Sequence, residues 1–298
     1  MLNAIFAAAL VALSVGESHS LKIDDRTEVK IMLLKDAVQI NWTCAESNME
    51  FVNSHYKNAR LRWDVFKGEA VECTFSPFGA ETSKTMAFPS YRLLTNPSNV
   101  FFAAFLGKPR PSAAFQSKTV RGAKDWTVEW VIPFAALETS KFHDAASTVT
   151  YAPRVCWTFK FSRRSETAGK KTVNASPLVT IKFPADIIAS CRRILLVGYQ
   201  GNKAKQAGVS VISGALRNTE DTEFTGKVKI YLHAGNEISL LKEIDIKIPA
   251  KGALRFDQPV TLPEKAVKFK IRTVIEDSAG VPVRISRDLP IENPWVEF

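Results

Sequence analysis

The run Trp126 to Leu137, WTVEWVIPFAAL, constrains the fold more than any other stretch of this chain. Val128, Trp130 and Ile132 share one side of a period-two pattern while Thr127, Glu129 and Val131 share the other, which predicts a strand with one strongly apolar face. Pro133 lacks the donor a ladder needs and ends the strand. Phe134 to Leu137 is short and apolar, and predicts a single helical turn laid against the sheet where the strand leaves its layer. A face that apolar needs a second layer to cover it.

The same alternation recurs along the chain. Glu28 to Leu34 and Ala37 to Cys44 are apolar-rich runs separated by Lys35-Asp36, a spacing that predicts a tight hairpin. Glu46 to Arg60 is polar and mixed, and reads as a loop crossing one end of the sheet. Val71, Cys73 and Phe75 alternate with Glu72 and Thr74 before Pro77. Tyr91 to Leu94 and Val100 to Leu106 are split by the turn formers Asn96-Pro97-Ser98-Asn99. Arg154 to Phe161 and Leu178 to Phe183 complete this half.

After Asp186 the strand pattern restarts at Ile194 to Val197, Val209 to Leu216, Lys227 to His233, Leu241 to Ile248, Ala266 to Ile275 and Pro282 to Ser286. Turn chemistry separates them at Gly235-Asn236, Ala250-Lys251-Gly252 and Ser278-Ala279-Gly280. No segment sustains a helical period. The expected fold is all-β, two tandem β-sandwich domains over residues 21–184 and 185–298, dividing between Phe183 and Arg192, with the second immunoglobulin-like.

At 298 residues the chain has room for two such domains, each with its own core. Lys and Arg outnumber Asp and Glu by 40 to 30, but the excess is spread over both halves, without the stripe or tail of a nucleic-acid binder. Ala4 to Val15 is an apolar run too short to span a bilayer. With Ser18 and Ser20 before Leu21 it resembles a secretory signal peptide, so residues 1–20 are expected to be removed from a protein that is secreted, periplasmic or held in the cell envelope, with no membrane span. The alternative is a buried N-terminal helix.

Cys44, Cys73, Cys156 and Cys191 match no zinc spacing. A Cys44–Cys73 bridge and unpaired core thiols are both open. The four histidines, at 19, 55, 143 and 233, are far apart, and there is no His-Glu-x-x-His, Gly-x-Ser-x-Gly or phosphate-binding glycine loop. The sequence therefore predicts no catalytic residue, no metal and no cofactor.

Four segments, in order, resemble the family 9 carbohydrate-binding modules of secreted glycan-degrading enzymes. Phe66 to Glu72 (FKGEAVE) is similar to the family's aromatic, acidic-pair, Val-Glu segment, and Tyr91 to Asn99 (YRLLTNPSN) to its Tyr strand and Asn-Pro-x-Gly turn, with Asn99 at the Gly. WTVEWVIPFAAL is similar to its W-x-x-E-x-x-I-P-F-x-x-L strand, and Trp157 to Arg163 (WTFKFSR) to its W-x-x-N-x-x-R strand, with Lys160 at the Asn. The likeness covers roughly residues 27–184.

The resemblance implies a sugar held at a sheet edge, stacked on aromatic faces and hydrogen-bonded by charged groups. Phe66 stands where the first Trp would be, Glu72 matches the Glu, Arg92 falls near the Arg and Ser162 near the Gln. Arg163, with Arg164, Lys170 and Lys171, clusters at the same end. The loop that would bring the second Trp is missing, since Val173-Asn174-Ala175-Ser176-Pro177 runs almost directly into the last strand. A secreted glycan-degrading enzyme is the implied partner. The rival reading is a structural or adhesive tandem sandwich with no small ligand. A haem-binding relative, with Met32 as ligand, ranks lower because no pattern places a partner His or Lys.

Overall fold

The computed structural model describes residues 10–56, 68–78, 90–105, 108–109, 115–137, 141–144, 147–150, 153–167, 170–201, 209–234, 237–262, 268–286 and 288–292. Phe66 lies outside them. The chain forms two compact units, one of Met1–Pro111, Phe115–Pro133 and Arg154–Ile188, the other of Ser112–Ala114, Phe134–Pro153 and Ala189–Phe298. It is all-β apart from short helices.

The first unit opens with β1 (Leu10–Ala12), β2 (Ser18–Asp24), β3 (Thr27–Leu33) and β4 (Ala37–Ala45), then helix α1 (Met49–His55). β5 (Ala70–Ser76), β6 (Tyr91–Thr95), β7 (Phe101–Phe105), β8 (Lys108–Pro109), β9 (Gln116–Arg121) and β10 (Asp125–Pro133) follow. The 3-10 turn Phe134–Ala136 and the hairpin β11 (Lys141–Asp144) and β12 (Ser147–Thr150) belong to the second unit. The chain then returns to the first with β13 (Cys156–Thr167), β14 (Lys170–Ala175) and β15 (Val179–Lys182).

Two sheets make this unit. An eight-stranded sheet runs β1-β15-β13-β5-β6-β7-β8, with β14 also paired to β13, and a five-stranded sheet runs β2-β3-β4-β10-β9. The alternation read from the sequence decides which face is covered. Trp126, Val128, Trp130 and Ile132 of β10 are buried, as are Val29, Ile31 and Leu33 of β3. Val71, Cys73 and Phe75 of β5 and Trp157, Phe159 and Phe161 of β13 are buried in the other sheet. Trp42 meets Trp130 and Phe161 edge-on, both at 5.6 Å between ring centroids. Burying each such side chain stabilises the fold by roughly 1.5–3 kcal/mol or more.

The hairpin at Lys35-Asp36 is present, with Leu34 N–H donating to Ala37 O at 2.9 Å. At the next turn Asn99 has φ +58°, the left-handed backbone that a glycine adopts most easily. Asn96 Oδ1 secures that turn by accepting from the N–H groups of Ser98 and Val100, each at 3.0 Å. The polar stretch expected as a loop contains α1, which Asn48 caps by accepting from Phe51 N–H. Met49, Val52 and Tyr56 are its buried face. Val173 to Pro177 does run almost directly into the last strand: β14, paired to β13 from Ser162 opposite Ala175 to Thr167 opposite Lys170, ends at Ala175, and β15 begins at Val179.

The segment expected to stand apart as a leader is built into the sheets from residue 10 onward. Leu10–Ala12 pairs in parallel with Thr180–Lys182, and β2 pairs with β3 from Ser18 opposite Met32. Leu13, 5% exposed, donates its N–H to Lys182 O. The physical reason is edge closure: β15 and β3 would otherwise present unpaired ladder groups. A chain starting at Leu21 is expected to lose about 2 kcal/mol of stability or more, since Leu13 alone carries that much burial. Equal denaturant midpoints for the two chains would mean that residues 10–20 are dispensable, as a cleaved leader must be.

Cys44, Cys73 and Cys156 are free thiols. Burial pushes the Cys44 thiol up to about 12, against the opposing charge of Arg163, and burial likewise raises Cys73 well above the ordinary range. The thiolate is the reactive form. Alkylation of the native protein near pH 8 is therefore expected to leave both unmodified and to label both after unfolding. Native-state labelling read by mass spectrometry would show that this core opens.

The second unit starts its sandwich after helix α2 (Ala185–Arg192). Its strands are β16 (Ile194–Gly201), β17 (Val209–Asn218), β18 (Phe224–Ala234), β19 (Glu237–Ile248), β20 (Ala253–Thr261), β21 (Lys268–Asp277), β22 (Pro282–Ile285) and β23 (Leu289–Glu292). One sheet runs β16-β17-β20 and the other β19-β18-β21-β22, with β23 also on β21. First, second and fifth strands against fourth, third, sixth and seventh is an immunoglobulin-like order. Ile212, Leu216, Val228, Ile230, Phe256, Ile271 and Ile275 form its core.

Candidate functional site

Strand β13 organises the site because its two faces do different work. Trp157, Phe159, Phe161 and Arg163 point into the sandwich, so Lys160, Ser162 and Arg164 point out. The register then sets neighbours on the outer face. Arg92 of β6 lies opposite Thr74 of β5, and Thr74 opposite Lys160 of β13. In the next row Glu72 lies opposite Ser162, and Ser162 opposite Ala175 of β14.

These residues line a concavity of about 520 Å³, together with Gly68, Arg164, Ser165, Lys171, Thr172 and Val173. At its centre Arg92 donates from Nε to Glu72 Oε1 at 2.6 Å and from Nη2 to Oε2 at 3.0 Å. Arg164 Nη2 donates to the same Oε2 at 2.6 Å. The Arg92 side chain is 41% exposed and Arg164 25%, so solvent screens the cluster and its worth to stability is about 1 kcal/mol. Its effect is to fix the orientation of two guanidinium groups. Among the described residues no aromatic side chain lines the concavity.

Of the residues predicted from sequence, Glu72, Arg92 and Ser162 come together here. Arg163 does not. It is 1% exposed on the inner face, where Nη1 donates to Thr27 Oγ1 at 3.1 Å and to Ala45 O at 3.2 Å, and Nη2 to Glu46 Oε2 at 3.0 Å and Glu69 Oε2 at 3.4 Å. Strand alternation is the reason, since a residue two places from Phe161 shares its inward face. Counting by twos from Trp157 would have put Arg164, not Arg163, in the site. Lys160 and Lys171 also belong to the lining, which the same count indicates for Lys160. The concavity lies on the sheet's outer face and extends to β14, which pairs only with β13 among the described strands and so ends the sheet on that side.

Asp24, beside β14, accepts from Asn174 Nδ2 at 2.6 Å. Burial raises its carboxyl, but hydrogen bonds from Asn174, Thr27 and the Arg26 N–H, with the charge of Arg163, outweigh that and hold it below the ordinary range. Met32 lies half-buried on the face of β3 opposite to Ile31 and Leu33, away from the sandwich interior. No group of three or more His, Cys, Asp or Glu side chains able to hold a metal occurs among the described residues, and none of their helices is long and apolar enough to cross a membrane.

No protein-family model matches this chain, and no curated relative matches it. Among solved structures it is similar to a DUF3823 family protein from Bacteroides ovatus, at 9% identity and TM-score 0.29, over 53% of this chain and 91% of that one. A calcium-binding mutant of Bacteroides uniformis beta-glucuronidase 2 is similar at 8% identity and TM-score 0.27, over 88% of this chain and 27% of that one. A Bifidobacterium adolescentis GH3 beta-glucosidase is similar at 13% identity and TM-score 0.25, over 32% and 17%. This chain thus spans about a quarter or less of either glycosidase, and at these scores the likenesses bear on neither family nor function.

Proposed function

We propose that the first unit is a non-catalytic carbohydrate-binding domain of the family 9 type, working as an accessory to glycan degradation. One observation carries the reading. Glu72, Arg92 and Ser162, three positions named by the sequence resemblance, line one concavity of about 520 Å³, inside the roughly 300–1,000 Å³ range of small-ligand sites. Charged donors held in fixed orientation suit the hydroxyl groups of a sugar. With no aromatic wall among the described lining residues, the forgone stacking is worth about 1 kcal/mol, so affinity is expected nearer millimolar than micromolar.

A glycan array followed by calorimetry on the full chain tests this. Arg92→Ala removes one of the oriented guanidinium donors of the lining and is expected to weaken binding at least about tenfold. Binding to no glycan, or binding indifferent to this change, would favour a structural spacer instead. That second reading has its own support, because both Glu72 oxygens are already engaged within the protein.

A further inference from the structure

We propose that the concavity takes an anionic sugar, a glycan bearing carboxylate or sulfate groups. The proposal rests on the carbohydrate reading and narrows its ligand. Four described lining side chains are cationic, Arg92, Arg164, Lys160 and Lys171, against the single carboxylate of Glu72. Both oxygens of that carboxylate accept from Arg92 and Arg164. The lining therefore carries an excess of positive charge, and the carboxylate that could accept from a sugar hydroxyl is already engaged.

A neutral sugar presents hydroxyls that donate as readily as they accept, and a good site for it offers both kinds of partner. Arg and Lys only donate. A wall made mainly of donors matches a group that only accepts, which is what a carboxylate or a sulfate is. Lys160 and Lys171 are exposed and have no ion-pair partner among the described residues. Arg92 and Lys160 lie in one cross-strand row with Thr74 between them, roughly 10 Å apart across two strand spacings. Charge spread in this way suits successive acidic residues of an oligosaccharide better than one small anion.

The test is calorimetry on the full chain with four oligosaccharides: an oligogalacturonide, its carboxyl-reduced counterpart, a sulfated oligosaccharide and its desulfated counterpart. Inorganic phosphate serves as a fifth ligand. One acidic member is expected to bind at least about tenfold more tightly than its neutral counterpart. That preference should shrink between about 0.1 M and 1 M salt, where the screening length falls from roughly 10 to 3 Å. The variant Lys160→Gln/Lys171→Gln should keep the unfolding midpoint and lose most of the preference. Which acidic member binds identifies carboxylate or sulfate. Equal binding of acidic and neutral members overturns the inference and leaves the carbohydrate reading standing, whereas binding of no oligosaccharide overturns both. Phosphate binding as tightly as the oligosaccharides, with the same response to the variant, also overturns it, in favour of an anion site that does not read sugar.

Discussion

Arg163→Met is expected to lower the unfolding free energy of the first unit by about 3–5 kcal/mol, the cost of stripping one partner from a buried ionic cluster. Arg163 is 1% exposed, and the Glu69 and Glu46 side chains it bonds are 2% and 8% exposed. Methionine fills similar space, so the loss comes from acceptors deprived of the Arg163 guanidinium: Glu69, Glu46, which keeps Arg26 at 3.9 Å, Thr27 Oγ1 and the Ala45 carbonyl. Typical domains have only about 5–15 kcal/mol in total. Tryptophan fluorescence in urea reads the effect, because buried Trp42, Trp126, Trp130 and Trp157 all belong to this unit. Adding Glu46→Gln and Glu69→Gln should restore part of the loss. A loss unchanged by those two substitutions would mean that packing, not charge, is what Arg163 contributes.

Arg284→Met is expected to have a comparable effect on the second unit. Arg284 is 2% exposed, and its Nε donates to Ile194 O at 2.9 Å while Nη1 donates to Leu137 O at 2.6 Å and Ala135 O at 3.4 Å. One side chain on β22 thereby satisfies the 3-10 turn and the first strand of the sandwich. Carbonyls left buried without donors cost about 1–3 kcal/mol each, so the three together should cost about 3–5 kcal/mol. Arg284→Lys should recover little, because a single ammonium lacks the planar fork that spans three acceptors. Hydrogen exchange of the β18 and β21 amides reports this unit separately. A loss under about 1 kcal/mol would show that water reaches those carbonyls in solution.

How far the sequence could be read depended on whether a strand is covered on one face. β3, β5, β10 and β13 are central strands with alternating burial, and their period-two pattern is visible directly. β9 and β20 were missed because both are edge strands. β9 has a largely exposed polar surface, and β20 contains Pro259, which an edge tolerates and a central strand does not. α1 escaped notice because two turns are too short to establish a helical period, although Asn48 before Met49 was a readable cap. In the site, Glu72 and Arg92 are legible through the resemblance, whereas the motif's Arg163, two residues from buried Phe161, falls on the inner face by strand alternation. Lys171 depends on the pairing of β14 with β13, which no local pattern announces.

The parallel pairing of β1 with β15 also sets an order of events during synthesis. Leu10 and Thr180 are partners, so the first strand made in this unit cannot find its neighbour until the last one has emerged. The β3–β4 hairpin closes locally, on the microsecond scale of such elements, but the β1 edge must wait on a contact of very high sequence separation, the kind that slows folding most. Until then β15 is an open sheet edge and the β1 segment an unpaired apolar strand, both free to pair with another chain. Refolding at rising protein concentration should therefore lose yield through this edge first, and β1 should be the last part of the unit to gain protection.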